Sequence, residues 1–167
     1  MLVVAVPAGA ATSPQKWTSS VCGALDTWVD DVEAASEKVA TSKPTSAANV
    51  KKKLTQLLTL TQRETKTLIA DLRAAGSPDV RGGKQIAATL REGFAQVLRS
   101  IAGARKSLAT AKTKDSVAFL NAARSVQDAL ESSLEGVQAA FSAARSADVA
   151  PLLAAFDANK RCQAVAS

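Results

Sequence analysis

The feature that most constrains the fold is an apolar seven-residue repeat in the middle of the chain. One set of apolar residues lies seven apart and a second set interleaves with it: Ala87, Phe94, Ile101 and Leu108, with Leu90, Val97, Ala104 and Ala111. The repeat places both sets on one stripe of an α-helix, and it is typical of left-handed knobs-into-holes packing. This segment is therefore predicted to be a long helix that packs lengthwise against others.

Three other segments show a helical spacing of apolar residues. They run from Trp17 to Val39, from Val50 to Leu72 and from Phe119 to Ala144, and short breaks separate all four helices. A fifth, shorter helix is predicted over about Asp148 to Ala164, folded back because a continuous rod would overshoot its partners. We predict an all-α fold, an antiparallel up-down four-helix bundle with a short C-terminal fifth helix.

Composition supports one helical domain. The chain has 167 residues, of which 47% are hydrophobic, and this length is enough for a sizeable core. The apolar residues are mostly Ala, Leu and Val, with four Phe, two Trp and no Tyr, and Ala and Leu are strong helix formers. Residues 13–167 are predicted to form a single helical-bundle domain.

Residues 1–12 are predicted to be a residual signal-peptide-like, disordered segment. The start is apolar and small, and Ala8-Gly9-Ala10 matches the A-x-A pattern that a signal peptidase reads. The alternative is a floppy apolar N-terminus on a cytosolic protein. The favoured interpretation places the protein outside the cytoplasm, secreted or in the cell envelope. No transmembrane span is expected, because the segment is too short to cross a bilayer.

Cys22 and Cys162 are the only cysteines, and the chain has no histidine. Without histidine they do not form a standard zinc site, and they are not a C-x-x-C redox pair. In an exported protein, two cysteines at opposite ends of the chain favour one structural disulfide. The alternative is two buried free thiols.

The lack of histidine also argues against catalysis, since it removes the commonest general base and metal ligand. Asp26, Asp30 and Glu33 lie on one side of the first helix, next to Asp31, and acidic clusters of this kind can hold metals or act in pairs. No partner carboxylates occur on the apolar stripes of the other helices, so a solvated face is favoured. No enzyme activity, catalytic residue, metal site or cofactor is expected.

Basic residues are concentrated in the second and third helices. Residues 44–114 carry a net charge of +10, whereas each flanking stretch carries −2. The second helix contains Arg63, Lys66 and Arg73 after a run of three lysines, and the third ends near Lys112. The predicted anion-binding face consists of Lys51, Lys52, Lys53, Arg91, Arg99, Arg105 and Lys106.

If these two helices are neighbours, their basic sides merge into one surface that attracts polyanions, such as anionic lipid or wall polymer. The alternative is that the charges solvate the helices and pair with the acidic arms. Nucleic acid is not an expected partner, because aromatic residues for base stacking are nearly absent among the basic ones.

Trp17 and Trp28 lie on the stripe of the first helix, so core packing is favoured over a ligand pocket. Trp17, near the end of the helix, is expected to be partly exposed. Thr61 and Thr65 lie on the stripe of the second helix. Interior threonines usually bond back to their own helix, and a small polar layer or cavity is the alternative.

Three segments carry a family resemblance: W-T-S-S-V-C-G-A-L-D-T-W over residues 17–28, A-G-S-P-D-V-R-G-G over 75–83, and L-L-A-A-F-D-A-N-K-R-C over 152–162. The chain resembles small exported α-helical proteins and lipoproteins of unknown function that recur in actinobacteria. It departs from the lipoproteins in having no cysteine before the first helix. The resemblance implies an envelope or extracellular location, and it supplies no activity.

The function expected from these observations is non-enzymatic binding in the cell envelope, with an unknown protein or envelope component as partner. One alternative is electrostatic attachment to anionic lipid or wall polymer through the basic face of the second and third helices. A small apolar-ligand carrier is the other alternative.

Overall fold

The computed structural model describes residues 11–43, 46–146 and 149–165. These ranges contain six helices and two very short strands. The helices are α1 (Pro14–Ala40), α2 (Ala47–Ala74), α3 (Gly83–Thr110), α4 (Ser116–Ser146), α5 (Ala150–Ala158) and α6 (Lys160–Val165), and the strands are β1 (Ala11–Thr12) and β2 (Ser77–Pro78). The all-α prediction is therefore confirmed.

Three of the four long helices begin at a residue whose side chain caps the first turn. The Ser13 hydroxyl accepts a hydrogen bond from the Lys16 amide at 3.4 Å, with proline at the first helical position of α1. Ser46 caps α2 in the same way, accepting from the amide of residue 49 at 3.2 Å. Asp115 caps α4, accepting from the amide of residue 118 at 3.0 Å. Each side chain satisfies an amide that has no partner within the helix.

Helices that are neighbours in sequence pack on each other. α1 packs on α2, α2 on α3 and α3 on α4, while α5 and α6 pack on α1. Trp28 lies at the centre, where its ring meets Phe94 edge to face with centroids 5.7 Å apart. Its indole N–H donates to the Thr65 hydroxyl at 3.1 Å, and Thr65 donates to the carbonyl of Thr61. The interior threonines therefore bond back to their own helix and also receive the buried indole.

The seven-residue repeat of α3 is buried along its whole length, as predicted. Phe94 and Ile101 are fully buried, and the other six members are at most 8% exposed. Of the early predicted stripe of α4, Phe119 and Val126 are buried, whereas Ala123 is half-buried and its neighbour Ala122 is buried instead. The predicted stripe positions from Leu130 onward, including Phe141, lie outside the side chains that the structure describes.

The C-terminal helices α5 and α6 return to α1 and are joined to it. Cys22 and Cys162 form a disulfide, with sulfur atoms 2.01 Å apart and α-carbons 5.1 Å apart. The predicted pairing is therefore confirmed, and so is the return of the C-terminal segment to α1. Both cysteines are buried.

Trp17 is buried rather than partly exposed, so that prediction was wrong. It is 1% exposed, because Phe156 of α5 covers it with an edge-to-face contact at 6.2 Å between centroids. Its indole N–H donates to the carbonyl of Gly76 at 3.3 Å. The C-terminal helices therefore close this end of the core.

The predicted single fifth helix over Asp148 to Ala164 is two helices, and Asn159 separates them. The Asn159 side-chain oxygen accepts from the amides of Arg161 at 3.0 Å and Cys162 at 3.4 Å. This cap starts α6 and offers the backbone an alternative to a continuous helix. Asp148 lies outside the described residues.

The loop between α2 and α3 holds a strand pairing that the sequence analysis did not predict. β1 pairs in parallel with β2, and the amide of Asp79 donates to the carbonyl of Thr12 at 2.7 Å. Ala11 and Thr12, the end of the segment 1–12, therefore belong to the folded structure, and residues 1–10 lie outside the described ranges. The backbone of Pro78 passes close to Gly83, because a β-carbon added at Gly83 would lie 2.0 Å from the carbonyl oxygen of Pro78.

Candidate anion-binding groove

The predicted anion-binding face is divided between different sides of the molecule. Lys53 is half-buried and lines a groove of about 340 Å³ between α1 and α2. Asp31 and Lys38 line the same groove, so its charges are of both signs. Lys53 therefore does not join the basic residues of α3.

Lys51 contacts the end of a neighbouring helix and does not lie on an open surface. Its ammonium donates to the carbonyls of Ala109 at 2.9 Å and Ala111 at 2.7 Å, where α3 ends. A cation at this place satisfies carbonyls that have no partner within the helix and complements the helix dipole. We interpret Lys51 as a cap for α3.

Of the remaining members of the predicted face, Arg91 and Arg105 lie where α2 and α3 meet, and Lys52, Arg99 and Lys106 are exposed on these two helices. Arg99 donates to the carboxylate of Glu92 and the amide oxygen of Gln96, both at 2.7 Å. Arg105 donates to the side-chain oxygen of Gln62 on α2. Lys52 and Lys106 are exposed, and no ion pair joins either to another residue in the described part of the chain.

Between α2 and α3 the surface opens into a groove of about 450 Å³ that combines cations with an apolar floor. Lys66 and Arg73 line it from α2 and Arg91 lines it from α3, with Glu92 as the acidic member. The rest of the lining is apolar: Ile69, Ala88, Ala95 and Leu98. We call this the α2–α3 groove.

Helical spacing explains how these residues come together. On α2, Ile69 lies three residues after Lys66 and four before Arg73, so the three side chains share one face. On α3, Arg91 lies three residues after Ala88 and four before Ala95. The methyl side chains of the two alanines leave space between the helices, and that space forms the groove.

The electrostatics of the α2–α3 groove favour an anion. Glu92 is ion-paired with Arg99 at 2.7 Å, so its charge is already compensated. Within the ranges that the structure describes, no carboxylate lies within ion-pair distance of Lys66, Arg73 or Arg91. Three cationic residues therefore line one groove without a described ion-pair partner, and an anion within reach of their charged groups gains charge-assisted hydrogen bonds.

Lys66 and Arg73 are the site residues that the predicted face omitted. A signal was present, because both flank Ile69 at helical spacing and so share its face. That signal becomes informative only when the neighbour of this face is known to be α3. Arg91 is the one member of the predicted face that lines the groove.

Other predicted features have ordinary structural roles. Asp26 lies 3.8 Å from Arg161, and among the described residues no three acidic or cysteine side chains are grouped so as to hold a metal ion. Trp17 and Trp28 belong to the core. None of the helices searched in the described ranges is long and apolar enough to cross a lipid bilayer.

Comparisons with known proteins assign neither a family nor a fold relative to this chain. No protein-family model, curated protein or solved structure matches this chain. The functional argument therefore depends on the geometry of the α2–α3 groove and on the charge around it.

Proposed function

We propose that the protein is a non-enzymatic binding module of the cell envelope that attaches to anionic lipid headgroups through the side of the molecule where α2 and α3 meet. The observation that carries this proposal is the α2–α3 groove, where Lys66, Arg73 and Arg91 converge without a described carboxylate partner. Cations left unpaired on one side of a protein create a local positive potential, and this potential recruits anions.

The disulfide supports a location outside the cytoplasm. Disulfides persist in oxidising compartments and are rare where thiol reductants are abundant. Cys22 and Cys162 are bonded to each other, and the A-x-A pattern at Ala8 to Ala10 is compatible with export. We therefore place the proposed function in the cell envelope or outside the cell.

We further propose that the scaffold is an antiparallel up-down four-helix bundle. Two contacts support alternating helix directions. Trp17, at the start of α1, bonds to Gly76, just beyond the end of α2, and Lys51, near the start of α2, bonds to carbonyls at the end of α3. With α2 and α3 alternating in this way, the basic residues of both helices extend along one side of the bundle.

Electrostatic attachment makes a quantitative prediction. Each Lys or Arg near an anionic membrane surface contributes roughly 1 kcal/mol, and this contribution is screened within a Debye length. Lys52 and Lys106 are exposed cations on α2 and α3 that do not line the α2–α3 groove. Substituting these two residues therefore tests whether attachment depends on exposed cations outside the groove.

The test is a sedimentation assay with vesicles of phosphatidylglycerol in phosphatidylcholine, over a series of salt concentrations. We expect binding that falls steeply with salt, and the Lys52→Glu/Lys106→Glu variant to bind at least about 30-fold more weakly. The matched control is Lys16→Glu/Lys160→Glu, which makes the same charge change at exposed positions on α1 and α6.

Equal losses for the two variants would show that only net charge matters, and the assignment to the α2–α3 side would be wrong. Absence of wild-type binding to anionic vesicles at low salt would contradict lipid attachment altogether. Binding to an anionic wall polymer without binding to vesicles would show that the polymer, and not lipid, is the ligand.

A further inference from the structure

We propose that the α2–α3 groove is a site for a single phosphate-bearing lipid headgroup, with the first apolar atoms of the lipid lying on its floor. This inference rests on the proposed function, because it names the ligand of the same surface. It goes further in one respect. A flat charged surface attracts any anionic membrane, whereas a groove selects one headgroup and holds it.

The charged groups suit a phosphate ester. Arg73 and Arg91 bring two guanidinium groups from facing helices, and Lys66 adds an ammonium group. Guanidinium groups match the oxygen geometry of phosphate with paired hydrogen bonds, and lysine contributes as a point charge. Because the groups come from both helices, a phosphate between them contacts α2 and α3 at once.

The size and floor of the groove favour an ester over free phosphate. Its volume of about 450 Å³ lies within the range of small-molecule sites, and a bare phosphate ion fills only part of it. Ile69 and Leu98 supply apolar side chains on the floor, and Ala88 and Ala95 keep it open. An apolar group attached to the phosphate buries its surface against this floor.

The groove is lined by three cations and one carboxylate, so its net charge is positive. Glu92 is the acidic residue of the lining, and it directly follows Arg91 in the sequence. Arg99 holds the Glu92 carboxylate at 2.7 Å. Among the described residues the carboxylate is paired with Arg99 and not with one of the three cations.

The experiment is calorimetric titration of the full chain with short-chain soluble lipids below their micelle concentration. The probes are dihexanoyl-phosphatidylglycerol, dihexanoyl-phosphatidylcholine and inorganic phosphate. We expect phosphatidylglycerol to bind at least tenfold more tightly than either of the others. We expect each of Lys66→Gln, Arg73→Gln and Arg91→Gln to weaken it by about tenfold or more, the loss of one charged hydrogen-bond donor.

Two further variants sharpen the test. Lys38→Gln/Lys53→Gln removes cations from the groove between α1 and α2, and we expect it to change binding by less than twofold. Ala88→Leu adds bulk at an exposed edge of the α2–α3 groove without altering charge. We expect it to weaken the lipid by about fivefold or more, because the added side chain occupies the space of the apolar part, and to leave inorganic phosphate unchanged.

The outcomes separate this inference from the proposed function. If vesicle binding depends on Lys52 and Lys106 but the three groove variants bind the soluble lipid like the wild type, the groove site is wrong and the surface stands. If the soluble lipid binds as expected while vesicles do not, the groove stands and attachment fails. Equal affinity for inorganic phosphate and phosphatidylglycerol overturns the lipid assignment.

Discussion

Two regions of the molecule differ in whether their polar groups have partners within the protein. One is the end that carries the disulfide, which we call the disulfide end, and the other is the α2–α3 groove. At the disulfide end, the indole of Trp17 has an acceptor and Asn159 caps two amides. In the groove, Lys66, Arg73 and Arg91 line an open surface and no described carboxylate pairs with them. The first region pairs most of its polar groups internally, with the buried Thr18 hydroxyl as the exception among the described residues, and the second leaves charge available to a ligand.

This difference predicts that stability and binding are separable. Buried groups with satisfied partners contribute to the free energy of unfolding, and their loss leaves cavities or unpaired atoms. Exposed cations without partners contribute little to that free energy. Substitutions at the disulfide end should therefore lower stability and preserve ligand affinity, and substitutions in the groove should do the reverse.

The largest expected effect is the loss of the disulfide. In the Cys22→Ala/Cys162→Ala variant we expect the free energy of unfolding to fall by about 3–5 kcal/mol, because the bond closes most of the chain into one loop in the unfolded state. The sequence separation of the two cysteines is 140 residues. Urea unfolding followed by circular dichroism measures the change.

Wild-type protein unfolded in the presence of a thiol reductant is the control, and it should match the variant. The variant itself should not respond to the reductant. Under conditions in which the variant is folded, its affinity for dihexanoyl-phosphatidylglycerol should stay within twofold of the wild type. A tenfold loss of affinity there would show that the disulfide end also shapes the groove, and the separation would fail.

The next effect compares two glycines of α3. In Gly83→Ala the added carbon would lie 2.0 Å from the carbonyl oxygen of Pro78, so the loop carrying β2 must move, at a cost of about 1–3 kcal/mol. Gly103 has nothing within 4 Å of an added carbon and lies inside the helix. There the same substitution should stabilise by up to about 1 kcal/mol, since alanine has the higher helix propensity.

Thermal unfolding of the two variants should show melting temperatures that move in opposite directions from the wild type. A Gly83→Ala protein as stable as the wild type would mean that the packing of β2 against the start of α3 is loose. The parallel pairing of β1 with β2 would then contribute little to the disulfide end.

The sequence predicted local features of the fold well because they depend on residues close together in the chain. The seven-residue repeat of α3 follows from spacing over a few residues, and Ser13, Ser46 and Asp115 are residue types that favour helix caps. The pairing of Cys22 with Cys162 followed from their being the only two cysteines.

Several features were not predicted, most of them because they depend on residues far apart in the chain. Phe156 covers Trp17 across almost the whole chain, and no local pattern shows that contact. β1 and β2 have two residues each, which is too short for the alternation that reveals a strand. The break at Asn159 lies within an apolar helical pattern, and only the side-chain cap reveals it.

The residues of the candidate site were also hard to predict, because their grouping depends on which helices are neighbours. Lys51, Lys52 and Lys53 are consecutive, and successive residues of a helix point about 100° apart. Their side chains accordingly separate: the first caps α3, the second faces solvent and the third lines the groove on the α1 side. The charge block was evident from the sequence, but which cations converge depends on the neighbour of each helical face.

The smallest expected change in stability belongs to the groove, and it tests the comparison most directly. In the Lys66→Gln/Arg73→Gln/Arg91→Gln variant we expect the free energy of unfolding to change by no more than about 0.5 kcal/mol per site, because the removed charges have no described ion-pair partner. Removing three like charges from one groove also relieves repulsion, so a slight gain in stability would agree with the interpretation. Urea unfolding at low and high salt measures it, with Lys16→Gln/Lys38→Gln/Lys160→Gln as a control of equal charge. If the groove variant loses more than about 2 kcal/mol while the control does not, Lys66, Arg73 and Arg91 hold α2 and α3 together, and their availability to an anion is refuted.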